Sequence, residues 1–175
     1  MVLQIFSMFY KLDDTIISIL DAKTLEPVWH SVDYHEGTYR RKAVYIFDYQ
    51  KGECTWGDGT VKINEGLLEP LGALLFLRIN ELKKGASVRK EIFDGSIIKE
   101  VIAKAVKEER IKTHFGSKDT VIIKPVMRDF RKAGITQVQE RISLYLQKEL
   151  PRYPYLVKGK LFIGSLKAML TEIKH

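Results

Sequence analysis

Short strand-like runs follow one another along most of this chain, with only a few turn residues between them. Successive side chains of residues 39–49 alternate between two faces. One of these faces carries the apolar and aromatic side chains Ala43, Tyr45, Phe47 and Tyr49. Such alternation is typical of a half-buried β-strand. Turns such as Glu36-Gly37 and Asp94-Gly95 are too short for the crossovers that parallel strands require. The sequence therefore predicts a mainly antiparallel β fold.

One segment breaks this pattern and predicts a helix, Leu67–Leu82. Pro70 suits a first helical turn, Glu69 suits the positive end of the helix dipole, and Gly85 marks a stop. On a helical wheel most of the leucines fall in one arc, while Glu69 lies opposite and Leu77 lies outside it. A broad one-sided stripe indicates a helix packed on a sheet. We therefore expect an α+β domain with one bent sheet of nine to eleven strands, an incomplete barrel, and this helix on its concave face.

Arg78 is the anomaly of this helix, because it projects into the apolar arc. An unpaired buried charge costs several kcal/mol, so the guanidinium must reach water, a partner or a ligand. One interpretation is that Arg78 reaches solvent, the last helical carbonyls or a nearby carboxylate. The other is that it sits at the mouth of a cavity and faces the polar head of a bound amphiphile.

Length and charge limit the function classes. The 175 residues, 45% of them hydrophobic, suit a single domain spanning residues 1–175. The single Cys54 excludes an internal disulfide framework and a Cys-rich metal site. A net charge of +7 is compatible with nucleic acid, anionic lipid or acidic polysaccharide as a partner. The basic residues are scattered, however, which favours a solvated surface, and we expect no nucleic-acid partner.

Patterns that carry catalysis or metal binding are weak in this sequence. His30 and His35 are five positions apart on a predicted strand, so they point to opposite faces and do not share a metal ion. Gly57-Asp58-Gly59 reads as a turn, because a strand rather than a helix follows it. We expect no catalytic residue, no metal site, no cofactor and no enzymatic activity. No apolar run is long enough to span a membrane, and the printed N-terminus lacks the pattern of an export signal.

Three stretches resemble the bacterial domain-of-unknown-function family 3108. The first is DDTIISILDAKTLEP, from Asp13 to Pro27. The second is EPLGALLFLR, which matches the helix of the family except that Glu69 and Gly72 replace its acid and its serine. The third is RISLYLQKELPRYPYLVKGKLFIGSLKAMLTEI, which resembles the closing strands and contains Leu150-Pro151-Arg152 and Ile163-Gly164-Ser165.

This resemblance implies a periplasmic or other cell-envelope protein, a half-barrel akin to the LolA and LolB lipoprotein carriers. Members of the family begin with an export signal and further strands, so this chain is expected to lack the first part of the sheet. The leading hypothesis is non-enzymatic binding of a lipid or acyl chain under the helix. The candidate cavity residues are Arg78, Leu71, Leu75, Tyr45 and Phe47. The alternative is a protein-interaction module that uses a sheet edge or the convex face.

Overall fold

The structure is a computed structural model that describes residues 2–6, 14–95, 97–128, 137–138, 142–160 and 165–173. Six residues of the family-like stretches lie outside these ranges: Asp13, Arg141, Leu161, Phe162, Ile163 and Gly164. The described residues form thirteen strands and one helix: β1 Val2–Phe6, β2 Thr15–Leu20, β3 Pro27–Glu36, β4 Tyr39–Asp48, β5 Glu53–Trp56, β6 Gly59–Lys62, α1 Pro70–Ile79, β7 Ser87–Phe93, β8 Ile98–Thr113, β9 Gly116–Arg128, β10 Gln137–Val138, β11 Ile142–Gln147, β12 Pro154–Lys160 and β13 Ser165–Glu172.

The strands form two open sheets, and the predicted mainly antiparallel β class with a helix is confirmed. The eight-stranded sheet has the order β1-β13-β12-β11-β9-β8-β7, with β10 beside β9. The five-stranded sheet has the order β2-β3-β4-β5-β6. The expectation of one bent sheet thus becomes two sheets, each made largely of strands that are neighbours in sequence. Short connections allow this arrangement, because each hairpin returns the chain beside the strand it has just left.

Two compact units can be recognised in the chain. The larger unit contains Met1–Met8, Leu77–Arg89 and Glu100–His175. The smaller unit contains Phe9–Phe76 and Lys90–Lys99. Each unit has its own cluster of buried side chains.

An aromatic cluster forms the core of the smaller unit. The alternation predicted for β4 is present, with Tyr45 fully buried and Phe47 only 5% exposed. Their rings meet the ring of Phe93 edge-on, at centroid distances of 5.1 Å from Tyr45 and 5.5 Å from Phe47. Edge-to-face contacts of this kind add to the stabilisation that comes from buried area alone. The core of the unit therefore follows from the period-2 pattern read in the sequence.

The turn at Asp94-Gly95 lies between β7 and β8, which are neighbours in the sheet as predicted. Gly95 has a φ of 94°, which side chains other than glycine rarely adopt. Its carbonyl accepts a hydrogen bond of 2.6 Å from the Tyr45 hydroxyl and one of 3.1 Å from Arg41. The turn is thereby tied to the aromatic core of the smaller unit.

Helix α1 is shorter than the predicted segment 67–82. Pro70, expected within the first turn, is instead the first residue of the helix, and Leu67 and Leu68 are not helical. The Leu68 amide donates to the Glu91 carbonyl at 3.0 Å, and its carbonyl accepts from the Phe93 amide at 2.8 Å. Leu68 thereby forms an isolated parallel β-bridge with Ile92 of β7, so the helix begins after Leu67 and Leu68.

The buried face of α1 differs from the one drawn on the helical wheel. Leu77, expected outside the apolar arc, is 8% exposed, whereas Ile79, expected inside it, is 61% exposed. Glu69, expected on the solvent side, is fully buried. The wheel was wrong here because it scores hydrophobicity alone. The side of the helix that carries Glu69, Gly72 and Leu77 is buried instead, with Gly72 packed so closely that an added Cβ would lie 3.0 Å from the Leu25 carbonyl.

Candidate functional site: an apolar cavity with a charged rim

A cavity of about 310 Å³ lies in the larger unit, beside the C-terminal end of α1 and the segment that follows it. Its floor is made by five aliphatic side chains: Leu77, Leu82, Val121, Ile123 and Leu146. Its rim is made by six charged side chains: Glu81, Lys83, Lys84, Glu108, Lys148 and Arg152. The volume falls at the lower end of the range typical of small-molecule sites.

The floor comes from one face of two adjacent strands, β9 and β11. Leu146 pairs directly with Val121 across the antiparallel ladder, and Ile123 lies two residues further along β9 on the same face. Ile123 is fully buried and Leu146 is 1% exposed. The opposite face of the same strands carries Ile122 and Tyr145, which pack in a separate buried cluster. Alternation along the two strands thus places closely packed apolar side chains beneath the cavity.

The rim carries four cationic side chains and two acidic ones. The Lys148 ammonium donates a hydrogen bond of 2.6 Å to Glu108, and this contact raises the pKa of Lys148. Lys83 and Lys84 are exposed, and neither forms an ion pair with another residue of the described ranges. The two lysines therefore stand on the rim of the cavity without an ion-pair partner among the described residues.

Arg78 and Arg152 connect α1 to the loop before β12 by reciprocal contacts. Arg78 Nε donates to the Pro151 carbonyl at 3.3 Å, and its guanidinium lies 5.1 Å from the ring centroid of Tyr153. Arg152 Nη1 donates to the Arg78 carbonyl at 3.2 Å. Arg78 thus contacts a backbone carbonyl and the face of an aromatic ring, and these contacts offset the cost of its partial burial.

The five residues predicted to line a cavity do not line this one. Tyr45 and Phe47 belong to the aromatic core of the smaller unit, and Leu71 and Leu75 are partly exposed residues of α1. Of the five, Arg78 contacts the cavity lining, because its carbonyl accepts a hydrogen bond from the rim residue Arg152. The floor residues of β9 and β11 were not singled out from the sequence. Their only signal was a pair of apolar runs, 120–123 and 142–146, which resemble those of any buried strand.

A model of one protein family matches residues 2–171, nearly the whole chain. The chain belongs to the family described as Protein of unknown function (DUF3108). The resemblance stated from the sequence is thereby confirmed at the level of the family. No curated protein and no solved structure gave a significant match to this DUF3108 protein.

A second cluster of polar groups, Ser18, His30 and Glu69, is found in the smaller unit. Ser18 Oγ lies 2.8 Å from His30 Nδ1, and Glu69 Oε2 lies 3.5 Å from the same nitrogen. A relay needs the serine and the carboxylate on different ring nitrogens, so this arrangement does not activate Ser18 as a nucleophile. Burial lowers the pKa of His30, an effect that Glu69 partly offsets.

Glu69 has a structural task in this cluster. Its carboxylate accepts the backbone amides of Leu71 at 2.8 Å and Gly72 at 2.5 Å, so it caps the N-terminus of α1. Gly72 also allows close packing, because a Cβ added there would lie 3.0 Å from the Leu25 carbonyl. The cluster therefore fixes where the helix begins.

Other chemistry suggested by residue type finds little support in the geometry. His35 is exposed and lies 3.0 Å from Asp33, whereas His30 is buried. Within the described ranges, no three His, Cys, Asp or Glu residues are arranged to hold a metal ion. Burial raises the pKa of the Cys54 thiol to about 12, which leaves it protonated and unreactive at neutral pH. In the same ranges, no helix is long and apolar enough to cross a membrane.

Proposed function

We propose that this DUF3108 protein is a non-enzymatic cell-envelope protein that binds a hydrophobic or amphiphilic ligand, a lipid or acyl chain. The observation that carries the proposal is the cavity of about 310 Å³ with an aliphatic floor and a charged rim. An apolar interior next to polar groups suits a molecule with an alkyl chain and a polar head. The envelope location rests on the resemblance to LolA and LolB carriers and is tested by fractionating cells that express the tagged protein.

The expected affinity follows from the size of the floor. Burial of one methylene group contributes about 0.8 kcal/mol, so six buried methylenes contribute roughly 5 kcal/mol. Part of this is offset by the lost freedom of the ligand. A dissociation constant between about 1 mM and 1 µM corresponds to roughly −4 to −8 kcal/mol, and we expect binding in this range.

The experiment combines native mass spectrometry of gently purified protein with displacement of a fluorescent fatty acid. Leu82→Trp adds a large ring to the floor and is expected to weaken binding at least ~10-fold, since it removes volume the ligand needs. Ile79→Trp is the matched control, because Ile79 is 61% exposed and does not line the cavity. Equal binding by wild type and Leu82→Trp would locate the ligand elsewhere. No binding by the wild type would remove the proposal.

A specific surface favours a second candidate, an interaction module. On the face of the five-stranded sheet opposite its aromatic core, an apolar belt crosses three strands: Ile17, Ile19, Trp29, Val44 and Ile46. In the register of the sheet, Ile19 lies beside Trp29 and Trp29 lies beside Ile46. Ile19 and Ile46 are 57% and 54% exposed. Contiguous exposed apolar side chains of this kind mark interaction surfaces.

The charges beside the belt suit a second copy of the same chain. Asp33 pairs with Lys42 at 3.3 Å on one side, and Glu53 pairs with Lys62 at 2.9 Å on the other. Since these charges are neutralised locally, two belts meet without like-charge repulsion, as an isologous dimer requires. Sedimentation equilibrium tests this: the wild type is expected to dimerise and Ile46→Lys to remain monomeric, with Val106→Lys as a control. A wild type that stays monomeric at high concentration would refute this candidate.

A further inference from the structure

We infer that the cavity selects single-chain amphiphiles with an anionic head, held by Lys83, Lys84 and Arg152. This inference rests on the proposed function, because it names the ligand class of the same cavity. Its first support is the charge of the rim, where four cations face two acids. Lys148 is already engaged by Glu108, so the cations that remain for a ligand are Lys83, Lys84 and Arg152.

Arg152 is held in place before any ligand arrives. Its backbone has a φ of 48°, a conformation that residues with a side chain rarely adopt, and its amide donates to the Glu149 carbonyl at 2.9 Å. Its guanidinium is anchored on the Arg78 carbonyl, its only hydrogen bond to the described residues. With respect to the described residues, four of the five guanidinium N–H donors are thus available for a carboxylate or phosphate.

Lys83 and Lys84 add mobile positive charge to this fixed donor. Both belong to the segment after α1, both are exposed, and both line the mouth of the cavity. A cation next to an apolar surface attracts an anion more strongly than a cation in open water does, because the dielectric constant is lower there. A neutral head gains nothing from these charges, and a cationic head is repelled.

The volume indicates one chain rather than two. The cavity of about 310 Å³ lies at the lower end of the range of small-molecule sites. A single alkyl chain of about ten carbons suits a site of this size. A diacyl lipid exceeds this space, whereas a free fatty acid or an alkyl phosphate of medium length fits it.

Isothermal titration calorimetry of the whole chain with four matched ten-carbon ligands, each kept below its micelle concentration, tests the inference. The ligands are decanoate, decyl phosphate, decyl maltoside and decyltrimethylammonium. Decanoate and decyl phosphate are expected to bind about tenfold more tightly than decyl maltoside, and decyltrimethylammonium more weakly still. Added salt is expected to weaken only the binding of the two anions.

Charge-removing variants then locate the effect. Lys83→Gln/Lys84→Gln is expected to lower the affinity for decanoate about fivefold while the affinity for decyl maltoside stays unchanged. Arg152→Gln is expected to act in the same direction, and the lysine pair keeps the test valid if this loop substitution disturbs folding. Lys104→Gln/Lys112→Gln is the matched control, since both lysines are exposed on β8 and lie outside the cavity.

Each contrary result has its own meaning. Equal affinity for the anionic and neutral ligands would overturn the charge selection and leave the apolar binding site standing. Failure of all four ligands to bind would remove the proposed function together with this inference. If inorganic phosphate displaced decanoate as strongly as decyl phosphate does, the inference that the ligand is an amphiphile would be overturned. The rim would then be a site for free anions.

Discussion

Removal of the Glu69 side chain is expected to destabilise the protein more than any change on its surface. The carboxylate is fully buried and accepts two backbone amides at the start of α1, those of Leu71 and Gly72. In Glu69→Ala both amides lose their acceptor. The methyl group that remains cannot replace the packing of the longer chain.

The size of the effect follows from these contacts. Loss of an N-cap costs about 0.5–2 kcal/mol, and a buried donor left without a partner costs about 1–3 kcal/mol. The two estimates overlap, because one of the stranded amides is the capping contact itself. We therefore expect the free energy of unfolding to fall by about 3 kcal/mol. For a chain of this length, that lowers the melting temperature by roughly 6–12 °C.

Urea unfolding followed by circular dichroism measures this change. Glu69→Gln keeps one carbonyl oxygen and is expected to lose only about 1 kcal/mol. Glu65→Ala, an exposed glutamate four residues earlier, is the control and is expected to stay within about 0.5 kcal/mol of the wild type. If Glu69→Ala were as stable as Glu65→Ala, the capping role assigned to Glu69 would be refuted.

Three further predictions concern buried groups. Burial lowers the pKa of His30 below its ordinary value of 6.5, so below pH 6.5 the unfolded chain binds more protons than the folded one. The contribution of His30 to the free energy of unfolding is therefore constant above pH 6.5 and falls as the pH drops below it. His30→Gln is expected to flatten this part of the plot of unfolding free energy against pH, measured by denaturation at several pH values. Leu77→Ala is expected to cost about 2–4 kcal/mol and Ile79→Ala less than about 1 kcal/mol in urea unfolding, and equal costs would contradict the observed face of α1. Cys54 is expected to react with a thiol reagent only after denaturation, and rapid labelling of the native protein would contradict its burial.

Local patterns were sufficient to predict several parts of the fold. Alternation in β4 placed Tyr45 and Phe47 on the same face, because neighbouring side chains of a strand must point to opposite faces; they were expected to line a cavity and instead pack in the aromatic core. Asp94-Gly95 identified the turn between β7 and β8, because glycine tolerates the positive φ found there. Pro70 identified the first turn of the helix, because its missing amide hydrogen is no loss there, although the predicted start at Leu67 was three residues too early.

Other parts depended on contacts between distant residues. Nothing near Glu69 in the sequence shows that His30 lies beside it, so its burial was not predicted. The face of α1 was wrong on the wheel because a wheel scores hydrophobicity alone, whereas the capping contacts of Glu69 and the close packing of Gly72 bury the other side of the helix.

The sequence by itself determined the class of this protein, its family and most of its strand faces, because these depend on the period of side chains along one segment. Only the tertiary structure decided where an apolar cavity lies. Its floor joins Leu77 to Val121 and Leu146, and its rim brings Lys83 and Lys84 near Arg152. These residues are far apart in the chain, and the sheet register that brings them together is set by the packing of the whole unit.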